Sequence, residues 1–476
     1  MNHKKQVIKY VLADYITAVL AWFLFYVFRR IEIDLVAIRD IQMFVPMYNA
    51  RVTMLLVPFF WIVLYVVSGY YNTPFFKSRL SEFFTTILSV FFGSLIVFFS
   101  VLMDDPVASY TFYYISFFVY FILHFSLTYA FRLLITTQSA HLIHTRKIGL
   151  RTLVLGVGEK AFKLEKQLSE MNQSLGYIIE GFVALQKNET RKVNNSSVVG
   201  SIVDINNVLK KYSVDVVIIA VDSITEDDIY QLMQSLWSKN IKIKIVPSLF
   251  EILTGSVKMN SIYAVPLIDL LEIQMSDFQL NLKRLFDILL SSMVLLIGLP
   301  FFVIIALRIK LDSKGEVLYK QERVGLHGIP FMMYKFRTMY ENAEQDGVPR
   351  LSCENDERIT PFGRFMRKYR IDELPQFYNV LKGDMAIVGP RPERRYFVDQ
   401  IIEQAPYYCR LFNVRPGITS WGMVKYGYAN TIEKMIERAQ FDISYIENMS
   451  LVIDSKILIY TIKTIGYDLK NIHQKH

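Results

Sequence analysis

Apolar residues in this chain fall into three patterns: long unbroken blocks at the N-terminus, short alternating runs in the middle, and one further long block near residue 290. The first blocks, Val7–Phe28, Val52–Tyr70, Phe83–Met103 and Phe112–Ile135, each approach the ~20 residues that a helix needs to cross a bilayer. The first has no cleavage-site pattern and three more follow it, so it reads as an anchor and not a removable leader. Basic residues set the expected orientation. His3-Lys4-Lys5 precede the first span, Lys77 and Arg79 separate the second from the third, and Arg132, Arg146, Lys147 and Arg151 follow the fourth. The loop at Asp104-Asp105-Pro106 has no basic residue; Arg29, Arg30, Arg39 and Arg51 fall on the opposite side. Four spans with both ends cytoplasmic satisfy most of these charges. Asp14 is an acid inside the first span, which calls for a polar partner or a function.

From about residue 148 to 272 the pattern alternates. A β-type run at Arg151–Leu155 ends in Gly156-Val157-Gly158, and a helical stretch follows to Gln173. Strands are predicted at Ile178–Ala184, Asp215–Val221 and Ile241–Val246, with a helix at Glu226–Ser238. Strands alternating with helices predict a parallel, doubly wound sheet. The glycine turn approaches a dinucleotide fingerprint, with Ala161 at the third glycine position. The end of the second strand, Leu185-Gln186, lacks the acid that would hold a ribose. The expectation is a nucleotide-type fold kept for assembly or regulation.

The block Leu285–Leu307 is long enough to span a membrane, yet three features oppose a simple crossing. Lys283 and Arg284 flank one end and Arg308 and Lys310 the other, drawing both ends to one face. Gly298 and Pro300 lie inside it, where proline removes a backbone donor and bends a helix. A crossing would also put the remaining chain on the opposite side from the middle domain. A helix that enters, breaks at Pro300 and returns, over residues 281–312, meets all three.

Candidate chemistry lies beyond it. Two strands, around Gln321–Gly325 and Phe331–Met339, bring Lys335 and Arg337, suited either to surface ion pairs or to phosphate. Thr360-Pro361 reads as an N-cap and first helical residue, with a helix to about Arg370. A second short helix holds Pro375 just inside its start and stops at Gly383. Asp372 and Glu373 therefore sit at a helix–helix corner between two basic groups: Arg364, Arg367, Lys368 and Arg370 before, Arg391, Arg394 and Arg395 after. Carboxylates so flanked are expected to stay ionised, fit to be nucleophile or metal ligand, and the cations suit a phosphate-bearing substrate. Equally, Asp372 can be the N-cap of the second helix and the basic residues a solvated surface. Val414–Thr419 reads as a tight loop, Ile432–Asn448 as a long helix, and Leu451–Ile465 as an amphipathic tail that either lies on the membrane or covers the core.

Three runs, Tyr-Lys-Phe-Arg-Thr-Met at 334–339, Asp-Glu-Leu-Pro-Gln at 372–376 and Val-Gly-Pro-Arg-Pro at 388–392, resemble the bacterial sugar transferases, the monotopic phosphoglycosyl transferases. The likeness covers roughly Lys283 to Ile465, and the rest resembles the long members of that family. It implies a multidomain membrane protein: an α-helical transmembrane bundle (1–147), an α/β Rossmann-like middle domain (148–272), a re-entrant membrane helix (281–312), and a mostly α, α+β catalytic domain (313–476). It implies transfer of a sugar phosphate from a UDP-sugar to polyprenyl phosphate at the bacterial inner membrane, on the cytoplasmic side, opening a capsule, exopolysaccharide or O-antigen pathway. Asp372 would be the nucleophile and Glu373 the Mg²⁺ ligand. Arg367 would grip the lipid phosphate, and Arg391, with Lys335, Arg337 and Arg394, the nucleotide or its phosphates. Lys283, Arg284 and Asp287 resemble the family's interfacial motif; where members often have Ser before the central proline, this chain has Leu299. A homodimer through the middle domain is the expected assembly.

Totals fit this picture. The 476 residues are 52% hydrophobic, with a net charge of +9. In a bilayer protein that excess marks basic cytoplasmic loops and attraction to anionic headgroups, and no nucleic-acid module is visible. Cys353 and Cys409 form no metal pattern, and the seven histidines are scattered. Two rivals stand beside the transferase: a nucleotide-sugar oxidoreductase built on the middle domain, for which no Tyr-x-x-x-Lys follows the glycine turn, and a non-catalytic membrane scaffold or sensor binding anionic lipid.

Overall fold

A computed structural model describes residues 3–32, 48–102, 110–185, 192–193, 197–222, 236, 241–248, 266–270, 275–341, 356–427 and 429–473. The loop at Asp104–Pro106, nearly all of the expected helix Glu226–Ser238, Gln186, Cys353 and Tyr428 lie outside these residues. The chain forms two compact units. One comprises Met1–Leu150, Leu168–Ile178 and Leu280–Leu282; the other comprises Arg151–Gln167, Ile179–Gln279 and Lys283–His476.

The first unit is built on α1 (His3–Glu32), α2 (Tyr48–Val67), α3 (Arg79–Val97) and α4 (Tyr110–His144). Among the described residues, the helices long and apolar enough to cross a bilayer are His3–Glu32, Arg79–Val101, Tyr110–His144 and, in the other unit, Asp277–Asp312; the apolar stretch Val52–Val67 is shorter. These helices mark a membrane protein. Tyr65, Trp61 and Tyr120 fill the bundle core, with the Trp61 indole donating to the Tyr120 hydroxyl at 2.7 Å.

Asp14 finds the polar partner its position demands. Arg132 donates to both of its oxygens, from Nε at 2.7 Å and Nη2 at 2.8 Å, and Tyr71 adds a third bond at 2.7 Å. This corrects the reading of Arg132 as a charge following the fourth span. It lies within α4, fully buried, so it is a counterion of the core and not an orientation signal. An isolated charge there would carry a desolvation cost that only a paired geometry offsets.

A six-stranded sheet, nearly all of it in the second unit, has the order β3-β2-β1-β4-β5-β6. Its strands are β1 (Leu150–Leu155), β2 (Tyr177–Ala184), β3 (Val198–Ser201), β4 (Val216–Ile219), β5 (Lys242–Ile245) and β6 (Ile268–Asp269), with helices α5 (Glu159–Glu170) and α6 (Ile205–Tyr212) between. β2 runs parallel to β3, and β4 runs parallel to both β1 and β5. The expected parallel sheet is thus modified at its edge, where β6 pairs antiparallel with β5. All four residues of β4 are buried, as a central strand covered on both faces requires.

Next comes α7 (Asp277–Asp312), which starts in a capping box between Ser276 and Gln279. Pro300 lies inside it and does not break it: the helix is continuous through both Gly298 and Pro300. One missing N–H donor costs a turn one bond, and the flanking turns carry the helix on. Leu289, Leu296, Leu299, Phe301, Ile304 and Leu307 are all exposed.

The remaining elements form a compact α+β body. An antiparallel hairpin, β7 (Leu318–Val324) and β8 (Pro330–Phe336), precedes α8 (Pro361–Lys368) and α9 (Gln376–Lys382). Then follow β9 (Ala386–Val388), α10 (Arg395–Gln404), β10 (Gly417–Thr419), α11 (Trp421–Lys425), α12 (Ile432–Glu447) and α13 (Leu451–His473). The segment expected as a plain loop at 414–419 contains β10, which pairs parallel with β9. On α13, Asp454 and Ile457 are buried while Val452, Ile459 and Ile462 are exposed, so the tail covers the core with one face and presents apolar residues with the other.

Candidate active site

The acidic pair is positioned by a sharp chain reversal. Thr360 caps α8 as expected, its Oγ1 accepting from the Gly363 amide at 3.0 Å with Pro361 in the first turn. Gly363 permits close contact: a Cβ there would stand 2.1 Å from the Thr338 carbonyl oxygen. The helix thereby packs on the end of the hairpin, and Arg367 Nε reaches Thr338 Oγ1 at 2.9 Å. α8 ends at Lys368, Arg370 turns left-handed with φ 53°, and Ile371–Glu373 form a single 3₁₀ turn. α9 begins with Pro375 at its N-cap position and stops at Gly383, φ 98°. Asp372 therefore does not cap that helix, which removes the alternative reading of it. Asn379 clamps α9 to β8, accepting from the Tyr334 amide at 3.0 Å and donating to the Met332 carbonyl at 2.7 Å.

That clamp sets Lys335 beside the pair. Its Nζ lies 3.2 Å from Glu373 Oε1; Arg370 reaches Oε2 at 3.3 Å and Arg391 stands 4.0 Å away. Burial pushes the Glu373 carboxyl up, but Lys335, Arg391 and Arg370 together pull it down to about 2. Asp372 is different. It is 8% exposed, and burial lifts its carboxyl to about 6 against the opposing pull of Lys335, with the neighbouring Glu373 charge adding to the rise and Arg367 opposing it. The cations are gathered mainly on Glu373, and desolvation governs Asp372.

The other candidates separate. Arg391 lies between two carboxylates, 3.8 Å from Glu393 and 4.0 Å from Glu373. Arg394 stands near Arg323, whose guanidinium is pulled below its ordinary range by burial, with Glu393 opposing and Arg391 and Arg394 adding to the fall. Arg337 is committed elsewhere: it is buried, with Nη2 on the Ser313 carbonyl at 2.7 Å and hydroxyl at 3.1 Å, tying the end of α7 to the hairpin. Lys335 and Arg337 would share a face in a longer strand, but β8 ends at Phe336 and the alternation ends with it. Lys283, Arg284 and Asp287 dock the start of α7. Lys283 donates to the Val388 carbonyl at 2.9 Å and to Asp454 at 2.6 Å; Arg284 to the Val380 and Leu381 carbonyls at 2.7 and 3.0 Å; Asp287 accepts from the Ile387 amide at 3.2 Å.

Sequence reasoning missed Glu393. Buried, it takes Arg438 at 2.6 Å and Arg323 at 3.2 Å, and these cations with Arg391 hold it below the usual range although burial pushes it up. The run Arg-Pro-Glu at 391–393 was a signal, but no spacing rule links Glu393 to Arg438. Among the described residues, no group of three or more His, Cys, Asp or Glu side chains could hold a metal ion. The two adjacent hard-oxygen carboxylates still fit magnesium, which takes few protein carboxylates and completes its shell with substrate phosphates and water.

In the middle domain, the Asp222 carboxylate accepts from the Glu159 and Lys160 amides at 2.9 and 3.0 Å. It thus occupies the N-terminus of α5, the place where a dinucleotide-binding version of this fold puts pyrophosphate. A Cβ on Gly158 would lie 2.1 Å from Asp222 Oδ2.

Fold and site define a membrane protein with an adjacent carboxylate pair, Asp372 buried and Glu373 nearly so, surrounded by Lys335, Arg370 and Arg391. Comparison with known proteins makes this particular. The bacterial sugar transferase model matches residues 278–467, and a CoA-binding domain model matches residues 67–247. An N-acetylgalactosaminephosphotransferase of Aeromonas hydrophila, named for UDP-N-acetylgalactosamine and undecaprenyl phosphate, is 41% identical over 48% of this chain and 52% of its own. The UDP-glucose:undecaprenyl-phosphate glucose-1-phosphate transferase of Escherichia coli K12 is 36% identical over 49% of this chain and 50% of its own. An uncharacterized sugar transferase, EpsL, of Bacillus subtilis is 39% identical over 39% of this chain and 87% of its own. The chain belongs to the bacterial sugar transferase family. It spans about half the length of the first two relatives.

Proposed function

We propose that this protein transfers a sugar 1-phosphate from a UDP-sugar to polyprenyl phosphate, on the cytoplasmic side of the bacterial inner membrane, as the first membrane step of a surface glycan. The observation that carries the reading is the Asp372–Glu373 corner. One carboxylate is buried and raised by desolvation, the other is held ionised by Lys335, Arg391 and Arg370. The names of the relatives supply the substrate classes; their sugars differ, so the donor sugar is left to experiment.

In the first half-reaction an ionised Asp372 oxygen attacks the sugar-proximal phosphorus. The bond from that phosphorus to the bridging oxygen breaks, and UMP departs with the electron pair. In the second, an oxygen of polyprenyl phosphate attacks the same phosphorus, and the Asp372 carboxylate leaves. No net proton is moved. Desolvation favours Asp372 as a nucleophile, because a poorly hydrated carboxylate gives up little water on attack. Arg367 grips the lipid phosphate, and Lys335 and Arg391 offset the charge of two approaching anions. Glu373 would hold magnesium, which when bound supplies further neutralisation of the donor phosphates.

The re-entrant placement of α7 is part of the same proposal. Lys283, Arg284 and Asp287 near its start, and Ile309 and Asp312 at its end, all bind the one catalytic body. The exposed apolar residues lie between them. For a helix anchored at both ends to one aqueous body to dip its middle into the bilayer and return, it must bend without breaking, and Pro300 is the residue that would bend it.

The test mixes protein with UDP-sugars and Mg²⁺, without acceptor. One UMP per active site and a protein mass increased by a sugar phosphate are expected from the right donor. Glu373→Gln should lose the magnesium response. If no UDP-sugar releases UMP even with polyprenyl phosphate added, the proposal falls.

A further inference from the structure

One cleft beside the acidic pair is unassigned by anything above. It has a volume of about 130 Å³ and opens next to Arg370 and Glu373. Its walls are Leu374, just after the Ile371–Glu373 turn, Phe377 at the start of α9, Ile418 on β10, and Val424 on α11. Thr461 and Thr464 of α13 close the far side.

The hydroxyl protons of the threonines in this lining are already used. Thr461 donates to the Ile457 carbonyl at 2.8 Å and lies 2.7 Å from the Thr419 hydroxyl; Thr464 donates to the Tyr460 carbonyl at 2.9 Å. Each of these threonines spends its hydroxyl proton on its own helix. A uracil ring brings two carbonyls, for which the side chains lining the slot beyond Arg370 leave no free donor. A hydrocarbon loses nothing. Apolar cavities of about 150 Å³ take up benzene, so this one has room for a single five-carbon branched unit.

We propose that this cleft is the subsite for the first isoprene unit of the acceptor lipid. The inference rests on the proposed function and deepens it. The lining matches one substrate better than the other. Its polar end, where Arg370 pairs with Glu373 at 3.3 Å, leads into an apolar slot, as a lipid with a phosphate head and a hydrocarbon chain requires, whereas the donor is polar at both ends of its diphosphate. α13, which closes the slot, carries exposed Val452, Ile459 and Ile462 on its outer face, so the same helix offers the chain an apolar surface to follow outwards. Glu373, the neighbour of Asp372 in the chain, lines the slot, which places the slot beside the acidic pair.

The experiment fills the slot in the full-length protein with Val424→Phe and, separately, Thr464→Phe, and follows the two half-reactions. The donor is the UDP-sugar with which the unaltered protein releases UMP; the acceptor is undecaprenyl phosphate. The expected result is at least a tenfold rise in the acceptor KM, with the stoichiometric UMP burst retained. A slowed burst with an unchanged acceptor KM would assign the slot to the nucleoside and overturn the proposal, as would no change in either. Thermal unfolding is measured alongside, and the milder Val424→Leu, with a smaller shift in the same direction, decides if the phenylalanine variants fail to fold. Absence of UMP release from the unaltered protein with every UDP-sugar, even with undecaprenyl phosphate present, defeats the proposed function itself. A burst with the wrong variant pattern defeats only the subsite.

Discussion

Two groups of buried charge invite comparison: Asp14, Glu82 and Arg132 in the bundle, and Asp372 and Glu373 with their cations in the α+β body. In the bundle each carboxylate is fully engaged. Asp14 holds Arg132 in a two-pronged pair, and Glu82 accepts from Tyr70, from Thr136 at 3.1 Å and from Thr86 at 3.4 Å. Arg132 spends a further donor on Thr86 at 3.2 Å and packs on the Tyr65 and Tyr70 rings. In the α+β body the cations near the pair outnumber its two carboxylates, and a cleft opens beside them. Burial alone therefore does not single out the proposed site. Surplus charge next to open space does, because an incoming anion could complete the arrangement there.

The comparison breaks most visibly at Asp372. Asp372→Asn should lower turnover by at least about 10³-fold, as removal of a nucleophile does. Its folded-state carboxyl lies above the ordinary value, so the stability this group contributes is present at low pH and is lost as pH rises through about 6. At pH 7.5 the asparagine variant should accordingly melt no lower than the parent. Turnover near the parental rate would end the covalent scheme.

In the bundle the opposite outcome is expected. Arg132→Met leaves Asp14 unpaired and should destabilise by about 3–5 kcal/mol, read as a lower midpoint of thermal unfolding in detergent. Pairing it with Asp14→Leu should recover most of that loss. UMP release per folded molecule should be unchanged in the double variant; a folded but inactive protein would show that the bundle charges take part in the chemistry.

The pH profile sharpens the contrast further. Only ionised Asp372 can attack, so the UMP burst should fall about tenfold per pH unit below roughly 6. A burst flat down to pH 4.5 would mean that desolvation does not govern this acid. The smallest effect is expected in the middle domain. Asp222→Ala removes a carboxylate from the N-terminus of α5 and should cost about 1 kcal/mol, the worth of a helix cap, read by chemical denaturation. No measurable loss would show that the carboxylate contributes nothing to this helix terminus.

Much of this was legible in the chain. Block length identified the membrane helices, because a bilayer imposes a minimum apolar span whatever surrounds it. Thr360-Pro361 and Gly383 marked the ends of α8 and α9, since caps and left-handed stops are local chemistry. The motif runs led to Asp372, Glu373, Lys335 and Arg391. Other features depended on residues far apart in sequence. Asp14 and Arg132 are 118 residues apart, Glu393 and Arg438 are 45 apart, and no periodicity links either pair.

What the sequence by itself determined, then, was where helices start and stop, which blocks are apolar enough for a membrane, and which residue types crowd around position 372. Tertiary structure alone decided which of those charges meet. It sent Arg337 to Ser313, buried Arg132 against Asp14, filled the α5 terminus with Asp222, and left Asp372 desolvated while Glu373 collected the cations. The reason is physical: propensity and capping act within a few residues, whereas desolvation and charge pairing depend on every group that packing brings near, however distant along the chain.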